Sequence, residues 1–180
     1  MENISVIQIK DKQFELFIPE KVILESIQKV SEQIGNDLHD QNPIFVCVLN
    51  GAFMFASDLI KHLDFPCEIT FIRLKSYQGT ASSGSICEVE NLIDDIKNRN
   101  VVIIEDIIDT GYTMQYLIES ISSKQPKSLR IATLLFKPKA LRVNLKTDYI
   151  AMEIPNDFIV GYGLDYDGYG RNLRDIYKIK

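Results

Sequence analysis

The hydrophobic positions of residues 19–38 recur at intervals of three and four, the spacing of one face of an amphipathic helix. We therefore predict a helix that begins near Pro19 and packs on the core. The run IFVCVLN at residues 44–50 is continuously apolar, as in strands buried on both faces of a parallel sheet. Gly51 follows, and residues 53–63 return to helical spacing. This region is predicted to form a strand, a turn and a helix.

The rest of the chain continues to alternate strand patterns with helix patterns. A helix is expected after Thr113, and strands are expected at residues 67–74, 86–90, 101–106, 129–136 and 148–154. The segment KSYQGTASSGS at residues 75–85 favours no regular element and is predicted to be a mobile loop. The alternation predicts an α/β fold with a mostly parallel sheet, in which the β-branched strand VVIIED is central. Residues 1–180 are expected to form one domain.

Composition narrows the range of functions. With 46% hydrophobic and 25% charged residues, the chain resembles an ordinary globular protein. A net charge of -5 argues against a broad nucleic-acid surface, which needs clustered Lys and Arg. No apolar run approaches the ~18 residues of a membrane span, and the charged N-terminus does not resemble a signal peptide. We expect a cytoplasmic protein with no membrane partner.

Residues 101–114, VVIIEDIIDTGYTM, carry the most specific chemistry. A strand delivers two acids, Glu105 and Asp106, and a short loop with Asp109 and Thr110 then opens a helix. In open α/β sheets, ligands bind beyond the carboxyl ends of the strands. Backbone N–H groups at a helix start bind anions such as phosphate, whereas paired acids suit a diol or a magnesium ion. The segment therefore predicts a site for a sugar phosphate with free hydroxyls.

Three rival interpretations explain less of this segment. A helix cap formed by Asp109 and Thr110 leaves the paired acids Glu105 and Asp106 without a role. A nucleotide P-loop requires a G-x-x-x-x-G-K-[ST] pattern, which the chain lacks. An aspartic protease needs two carboxylates that share a proton on a β-rich scaffold, but D-T-G occurs once here, among alternating helices and strands.

The segment VVIIEDIIDTGYT resembles the phosphoribosyl-pyrophosphate signature of the type I phosphoribosyltransferases. The blocks FIRLKSYQG, KPKAL and FIVGYGLDYDGYGRNLRDIY resemble, in the same order, those of the hypoxanthine-guanine branch of that family. The resemblance covers nearly the whole chain. It implies a central parallel sheet flanked by helices, a small hood and a mobile loop.

The resemblance also implies roles for the residues of the signature. Glu105 and Asp106 would hold the ribose hydroxyls, directly or through Mg²⁺, the expected cofactor. Asp109 would accept a proton near N7 of a purine. Ser76 and Tyr77 would belong to the mobile loop that closes over the reaction. The loop that cradles the 5-phosphate would consist of Ile108, Asp109, Thr110, Gly111, Tyr112 and Thr113.

Further positions resemble the residues that bind the base and pyrophosphate. Lys137 would donate to the 6-oxo group of the purine, which favours oxopurines over adenine. Phe158 would stack on the base, with core packing as the alternative, and the Ile159 backbone would read its edge. Asp165 would hold a second magnesium, and Arg171 would reach pyrophosphate.

Asn50 and Gly51 correspond to a pyrophosphate-contacting turn of the family. The family often has a basic residue before this glycine, whereas this chain has asparagine, so a charged contact from the turn is not expected. By resemblance, a strained or cis peptide is expected between Leu49 and Asn50.

The implied reaction joins hypoxanthine or guanine, through N9, to the ribose of phosphoribosyl pyrophosphate, giving IMP or GMP and pyrophosphate. The implied assembly is a homo-dimer or homo-tetramer. Three alternatives stay open on sequence alone: a xanthine- or adenine-preferring transferase, a pyrimidine-operon regulator that binds RNA, and a flavodoxin-like binding module without catalysis.

Overall fold

A computed structural model describes residues 5–77, 86–90 and 96–180 of the chain. Within these ranges the helices are α1 (Glu20–Leu38), α2 (Phe53–Lys61) and α3 (Tyr112–Ser122). The strands are β1 (Val6–Ile9), β2 (Lys12–Ile18), β3 (Ile44–Leu49), β4 (Glu68–Tyr77), β5 (Ile86–Glu90), β6 (Asn100–Ile108), β7 (Ser128–Phe136), β8 (Tyr149–Glu153), β9 (Ile159–Val160) and β10 (Ile176–Ile179).

The larger sheet has six strands in the order β5-β4-β3-β6-β7-β8. Strands β4, β3, β6, β7 and β8 run parallel, and β5 pairs antiparallel with β4 at one edge. The prediction of a mostly parallel sheet with VVIIED at its centre is confirmed, because β6 lies between β3 and β7. The carboxyl ends of the five parallel strands therefore lie along the same side of the sheet, where a ligand site is expected.

Helices cover both faces of this sheet. The apolar stripe of α1 and the buried residues of α2 pack with Phe45 and Cys47 of β3 in one core cluster. Met114, Leu117 and Ile121 of α3 form a second cluster on the other face. Both faces of β3 and β6 are buried, which explains why their sequences are apolar without alternation.

A second sheet of four antiparallel strands, β1-β2-β10-β9, forms the hood. Hydrophobic periodicity did not predict these strands; only the family resemblance implied a hood. One hood contact reaches the start of α1, where the backbone N–H of Glu20 donates to Oδ1 of Asp175 at 2.7 Å. Pro19 precedes this helix and provides no side-chain cap, so Asp175 supplies the cap from the C-terminal part of the chain.

Two expectations about element boundaries are corrected. The sequence predicts a mobile loop at Ser76 and Tyr77, but these are the last residues of β4 and pair with Cys87 and Ile86 of β5. The remainder of that predicted loop, residues 78–85, lies outside the described residues. Strand β6 also continues to Ile108, so the two acids lie within the strand and not at its end. Among the described helices, none has the length and apolarity needed to cross a membrane.

Candidate active site

The two acids of β6 are largely removed from solvent. Asp106 is only 9% exposed, and its Oδ1 accepts a hydrogen bond from the backbone N–H of Ile107 at 2.9 Å. Oε2 of Glu105 is buried and has no hydrogen-bond partner in the described part of the chain. A buried carboxylate oxygen without a donor is costly, so this atom is available to a hydroxyl group or a cation.

Burial also changes the acidity of this pair. It raises the pKa of Glu105 well above its ordinary value, and the neighbouring charge of Asp106 raises it further. Burial raises the pKa of Asp106 as well, although hydrogen bonds from Glu105 and Ile107 oppose that effect. Because the two groups titrate as a unit, the pair retains a proton at a pH where an exposed pair would have lost both.

Two glycines allow chain segments to pack closely beside Asp106. A Cβ atom added to Gly51 would lie 1.6 Å from Oδ2 of Asp106, and one added to Gly163 would lie 2.1 Å from the carbonyl oxygen of Gly51. The turn after β3, the acid of β6 and the loop after β9 therefore meet without room for side chains. The peptide bond between Leu49 and Asn50 in this turn is cis, as the resemblance suggested.

The loop between β6 and α3 lines an open cavity of about 140 Å³. Gly111 adopts a left-handed backbone conformation with φ of 85°. A Cβ atom there would lie 2.8 Å from Leu141 and 2.7 Å from Val143, so glycine is required by both backbone geometry and packing. The unpaired N–H groups of the first turn of α3 follow directly. The cavity is lined by Glu105, Asp106, Ile107, Ile108, Asp109, Thr110, Gly111, Thr113 and Met114.

Lys137 and Asp109 form an ion pair beside this cavity. Nζ of Lys137 donates to Oδ2 of Asp109 at 2.8 Å, and the Lys137 backbone N–H donates to the carbonyl oxygen of Ile108 at 2.9 Å. Lys137 is only 7% exposed, whereas the Asp109 side chain is 44% exposed. The structure thus joins two residues that the sequence analysis had assigned separately.

Asp165 and Arg171 also bind each other. Nη2 of Arg171 lies 2.6 Å from Oδ1 of Asp165, and its Nη1 donates to the carbonyl oxygen of Gly163 at 2.6 Å. The second oxygen of Asp165 accepts the N–H of Gly168 at 2.7 Å. Both carboxylate oxygens therefore already have a polar partner, and a metal ion at Asp165 would compete with Arg171 for Oδ1.

Phe158 is 47% exposed, so the alternative that it is a core residue is wrong. Its ring meets that of Tyr166 edge-on, with the ring centroids 5.9 Å apart, and lies 6.3 Å from that of Phe14. These contacts hold the ring beside Phe14 and Tyr166 and leave about half of the residue exposed. Ile159 follows in β9 with its side chain buried, so only its backbone is available to a ligand.

The remaining predicted site residues differ in the exposure of their side chains. Ile108 is 2% exposed and belongs to a core cluster, whereas Tyr112 is 60% exposed at the start of α3. Ser76 and Tyr77 are placed by their backbone alone, at the end of β4.

The sequence analysis missed Arg73, which donates from Nη2 to Oδ1 of Asn50 at 3.2 Å. The available signal was a basic residue in the mostly apolar run ITFIRL.

Comparison with known proteins identifies the family to which this chain is similar. A model of the phosphoribosyl transferase domain matches residues 19–167. The chain is 41% identical over 165 residues to a hypoxanthine-guanine phosphoribosyltransferase of Streptococcus thermophilus, with 91% of each chain covered. It is 43% identical over 159 residues to that of Streptococcus pneumoniae R6, with 88% of each covered.

A crystal structure of a hypoxanthine-guanine phosphoribosyltransferase from Bacillus anthracis superposes with a TM-score of 0.86. It is 35% identical and covers 96% of this chain and 100% of its own. The chain belongs to the phosphoribosyl transferase family. The expected fold class and enzyme class, a type I phosphoribosyltransferase, are confirmed.

Proposed function

We propose that this chain transfers the 5-phosphoribosyl group of phosphoribosyl pyrophosphate to N9 of hypoxanthine or guanine, giving IMP or GMP and pyrophosphate. One observation carries the proposal: the largely buried acid pair of β6, the loop that opens α3 and the Lys137–Asp109 pair lie together at the carboxyl ends of β6 and β7. The names of the relatives supply the choice of bases.

The ribose 5-phosphate fits the segment from Glu105 to α3. The loop from Asp109 to Thr113 supplies backbone N–H groups at a helix start, and Thr110 and Thr113 are exposed and carry hydroxyl groups. The ribose 2- and 3-hydroxyls would donate to Glu105 and Asp106. Oε2 of Glu105, which is buried without a partner, would gain a donor in this way.

Magnesium fits the same acids. The pair provides the oxygen ligands that Mg²⁺ prefers, but the described residues contain no cluster of three or more His, Cys, Asp or Glu side chains that would hold an ion. We infer that Glu105 and Asp106 hold it together with substrate oxygens, and that Asp165 holds a second ion after release from Arg171. The metal would neutralise charge on the departing pyrophosphate.

The Lys137–Asp109 pair suggests how a 6-oxopurine is recognised. The oxo group would accept a hydrogen bond from Lys137, and this bond would replace the contact with Asp109. Asp109 would then be free to accept the proton that the base loses near N7 as N9 bonds to the anomeric carbon. Phe158 would stack on the base, and the backbone of Ile159 would bind its edge.

Pyrophosphate would leave as the bond from the anomeric carbon to its oxygen breaks, through a transition state with oxocarbenium character. Arg171 and backbone N–H groups of the Asn50–Gly51 turn would bind the departing group. Ser76 and Tyr77 end the strand that approaches this edge, which is consistent with a role in covering the site.

The decisive assay measures pyrophosphate release with hypoxanthine, guanine, xanthine and adenine, each with and without magnesium. Turnover of hypoxanthine and guanine only when magnesium is present supports the proposal. Preference for xanthine or adenine would assign a different base, and no turnover together with RNA binding would indicate the regulator.

We also propose that the chain is cytoplasmic and forms a homo-dimer or homo-tetramer. Ile69 and Phe71 lie two residues apart on β4 and are 40% and 45% exposed, which is the kind of apolar surface that a second copy covers. Light scattering on the wild type and on an Ile69→Glu, Phe71→Glu variant tests this. A monomeric wild type would contradict the proposed assembly, and an unchanged assembly of the variant would show that Ile69 and Phe71 do not form its interface.

A further inference from the structure

Arg73 lies beside the turn that closes against Asp106. In the parallel pairing of β3 and β4, Arg73 lies opposite Leu49, and Leu49 directly precedes Asn50. Its side chain is exposed, and Nη2 donates to the amide oxygen of Asn50 at 3.2 Å. Gly51, the next residue, touches the Asp106 carboxylate. The guanidinium group therefore lies next to the region where the acid pair, the turn and the loop of Gly163 meet.

Arg73 differs from the other cations of the site in its hydrogen-bond partner. Lys137 is paired with Asp109 at 2.8 Å, and Arg171 is paired with Asp165 at 2.6 Å. Among the described side chains, Arg73 has the neutral amide of Asn50 as its hydrogen-bond partner. No carboxylate of the described side chains is paired with Arg73, and a highly charged ligand can serve as its counter-ion.

We propose that Arg73 binds the pyrophosphate group, both in phosphoribosyl pyrophosphate and in the product, and supplies the positive charge that Asn50 does not. The inference rests on the proposed function. Asn50 holds the guanidinium beside the turn when no ligand is bound. Because this contact is exposed and weak, Arg73 exchanges it for phosphate oxygens at little cost.

Steady-state kinetics in both directions tests this role. Arg73→Met should raise KM for phosphoribosyl pyrophosphate, and KM for pyrophosphate in the reverse reaction, by about tenfold or more. KM for hypoxanthine and for IMP should stay within about twofold, because neither contains the pyrophosphate group. Arg73→Lys keeps the charge and should retain most of the affinity.

Arg99 offers a matched control. Its guanidinium also joins the β3 and β4 regions, through the carbonyl oxygen of Asn42 and the carboxylate of Glu68, but at the opposite end of the strands. Arg99→Met should leave all four KM values unchanged even if it lowers the melting temperature. Adding Asn50→Lys to Arg73→Met should restore pyrophosphate affinity, because it returns a cation to the turn.

Each other result contradicts the role of Arg73. Equal changes in all four KM values, a loss of thermal stability alone, or no rescue by Asn50→Lys would indicate that Arg73 only joins the strands. If the wild type does not turn over hypoxanthine, the proposed function fails instead. Calorimetric titration of both proteins with magnesium pyrophosphate then still tests Arg73, and equal affinities would overturn its role.

Discussion

At the scale of single residues, the acid pair of β6 is placed where it weakens the fold. Glu105 and Asp106 both have raised pKa values because burial disfavours their charged forms. An acid whose pKa is higher in the folded than in the unfolded state binds more protons when folded. The free energy of unfolding therefore falls as pH rises from the unfolded pKa through the folded one.

We predict that Glu105→Gln removes much of this pH dependence. Without ligand and in EDTA, the wild type should lose stability as the pH rises above the range in which ordinary carboxyl groups titrate, by at most about 1.4 kcal/mol per pH unit for one proton. The Gln variant should vary less and be the more stable protein at pH 8, yet have far lower activity. Urea denaturation at each pH measures this, with the exposed Glu153→Gln as control. Parallel wild-type and variant curves would refute it.

We predict that Lys137 determines the preference for 6-oxopurines over adenine. Lys137→Ala should lower kcat/KM for hypoxanthine and guanine. The loss of transition-state stabilisation should be about 1–3 kcal/mol, the value of a lost charge-assisted hydrogen bond. Adenine has no 6-oxo acceptor, so its poor turnover should change little. The oxopurine-to-adenine ratio should therefore narrow by about one to two powers of ten.

The exposed Lys139 lies two residues further along the chain and provides the control. Lys139→Ala should leave kcat/KM unchanged for all three bases. An unchanged base ratio in Lys137→Ala would exclude the assigned contact.

At the scale of elements, the turn between β3 and α2 tolerates no side chain at Gly51. A Cβ atom there would overlap Asp106, whereas one at Gly35 in α1 would reach only Phe65, at 4.0 Å. Gly51→Ala must displace the turn, the acid or both. A shift of about 1 Å in a catalytic group is enough to cost about a hundredfold in rate.

We therefore predict opposite effects for these two glycines. Gly51→Ala should lower kcat/KM by at least about tenfold. Gly35→Ala should leave activity unchanged and stabilise α1 by up to about 1 kcal/mol, because alanine favours a helix over glycine. Melting temperatures and kcat/KM of both variants test this prediction. A fully active Gly51→Ala enzyme would show that the turn accommodates the methyl group without displacing the site.

At the scale of the whole molecule, Asp175 joins the hood to the sheet domain. Its Oδ1 accepts the first N–H of α1, and Oδ2 accepts the hydroxyl of Tyr177 at 3.3 Å. Its backbone oxygen lies against Gly161, where a Cβ atom would approach it to 2.1 Å. The hood also carries Phe158, so this junction helps to place the proposed base-binding ring over the site.

Asp175→Ala should therefore lower the free energy of unfolding by about 1–2 kcal/mol, as for a lost helix cap. It should also raise KM for hypoxanthine more than KM for phosphoribosyl pyrophosphate. The exposed Asp64→Ala should change stability by less than about 0.5 kcal/mol. Equal urea midpoints for Asp175→Ala and the wild type would show that α1 needs no cap from the hood.

The sequence by itself determined the elements of the sheet domain and most of the proposed ligand-binding residues. Strands β3 and β6 are buried on both faces, α1 has one apolar stripe, and the acids and phosphate loop occupy one short segment; all are local patterns that hydrophobicity and residue type reveal. The hood strands were implied only by resemblance, because short half-exposed strands carry little periodic signal.

Only the tertiary structure decided which of these residues meet. Lys137 pairs with Asp109 and Arg73 with Asn50 across sequence separations that no local pattern encodes. Arg171 and Asp165 are near in sequence, but the fold of the loop after β9 brings their side chains together. It also showed that Ser76 and Tyr77 continue β4, because pairing with β5 overrides the weak propensity of a polar segment. Contacts of this kind arise from strand order and register, which depend on the packing of the whole chain.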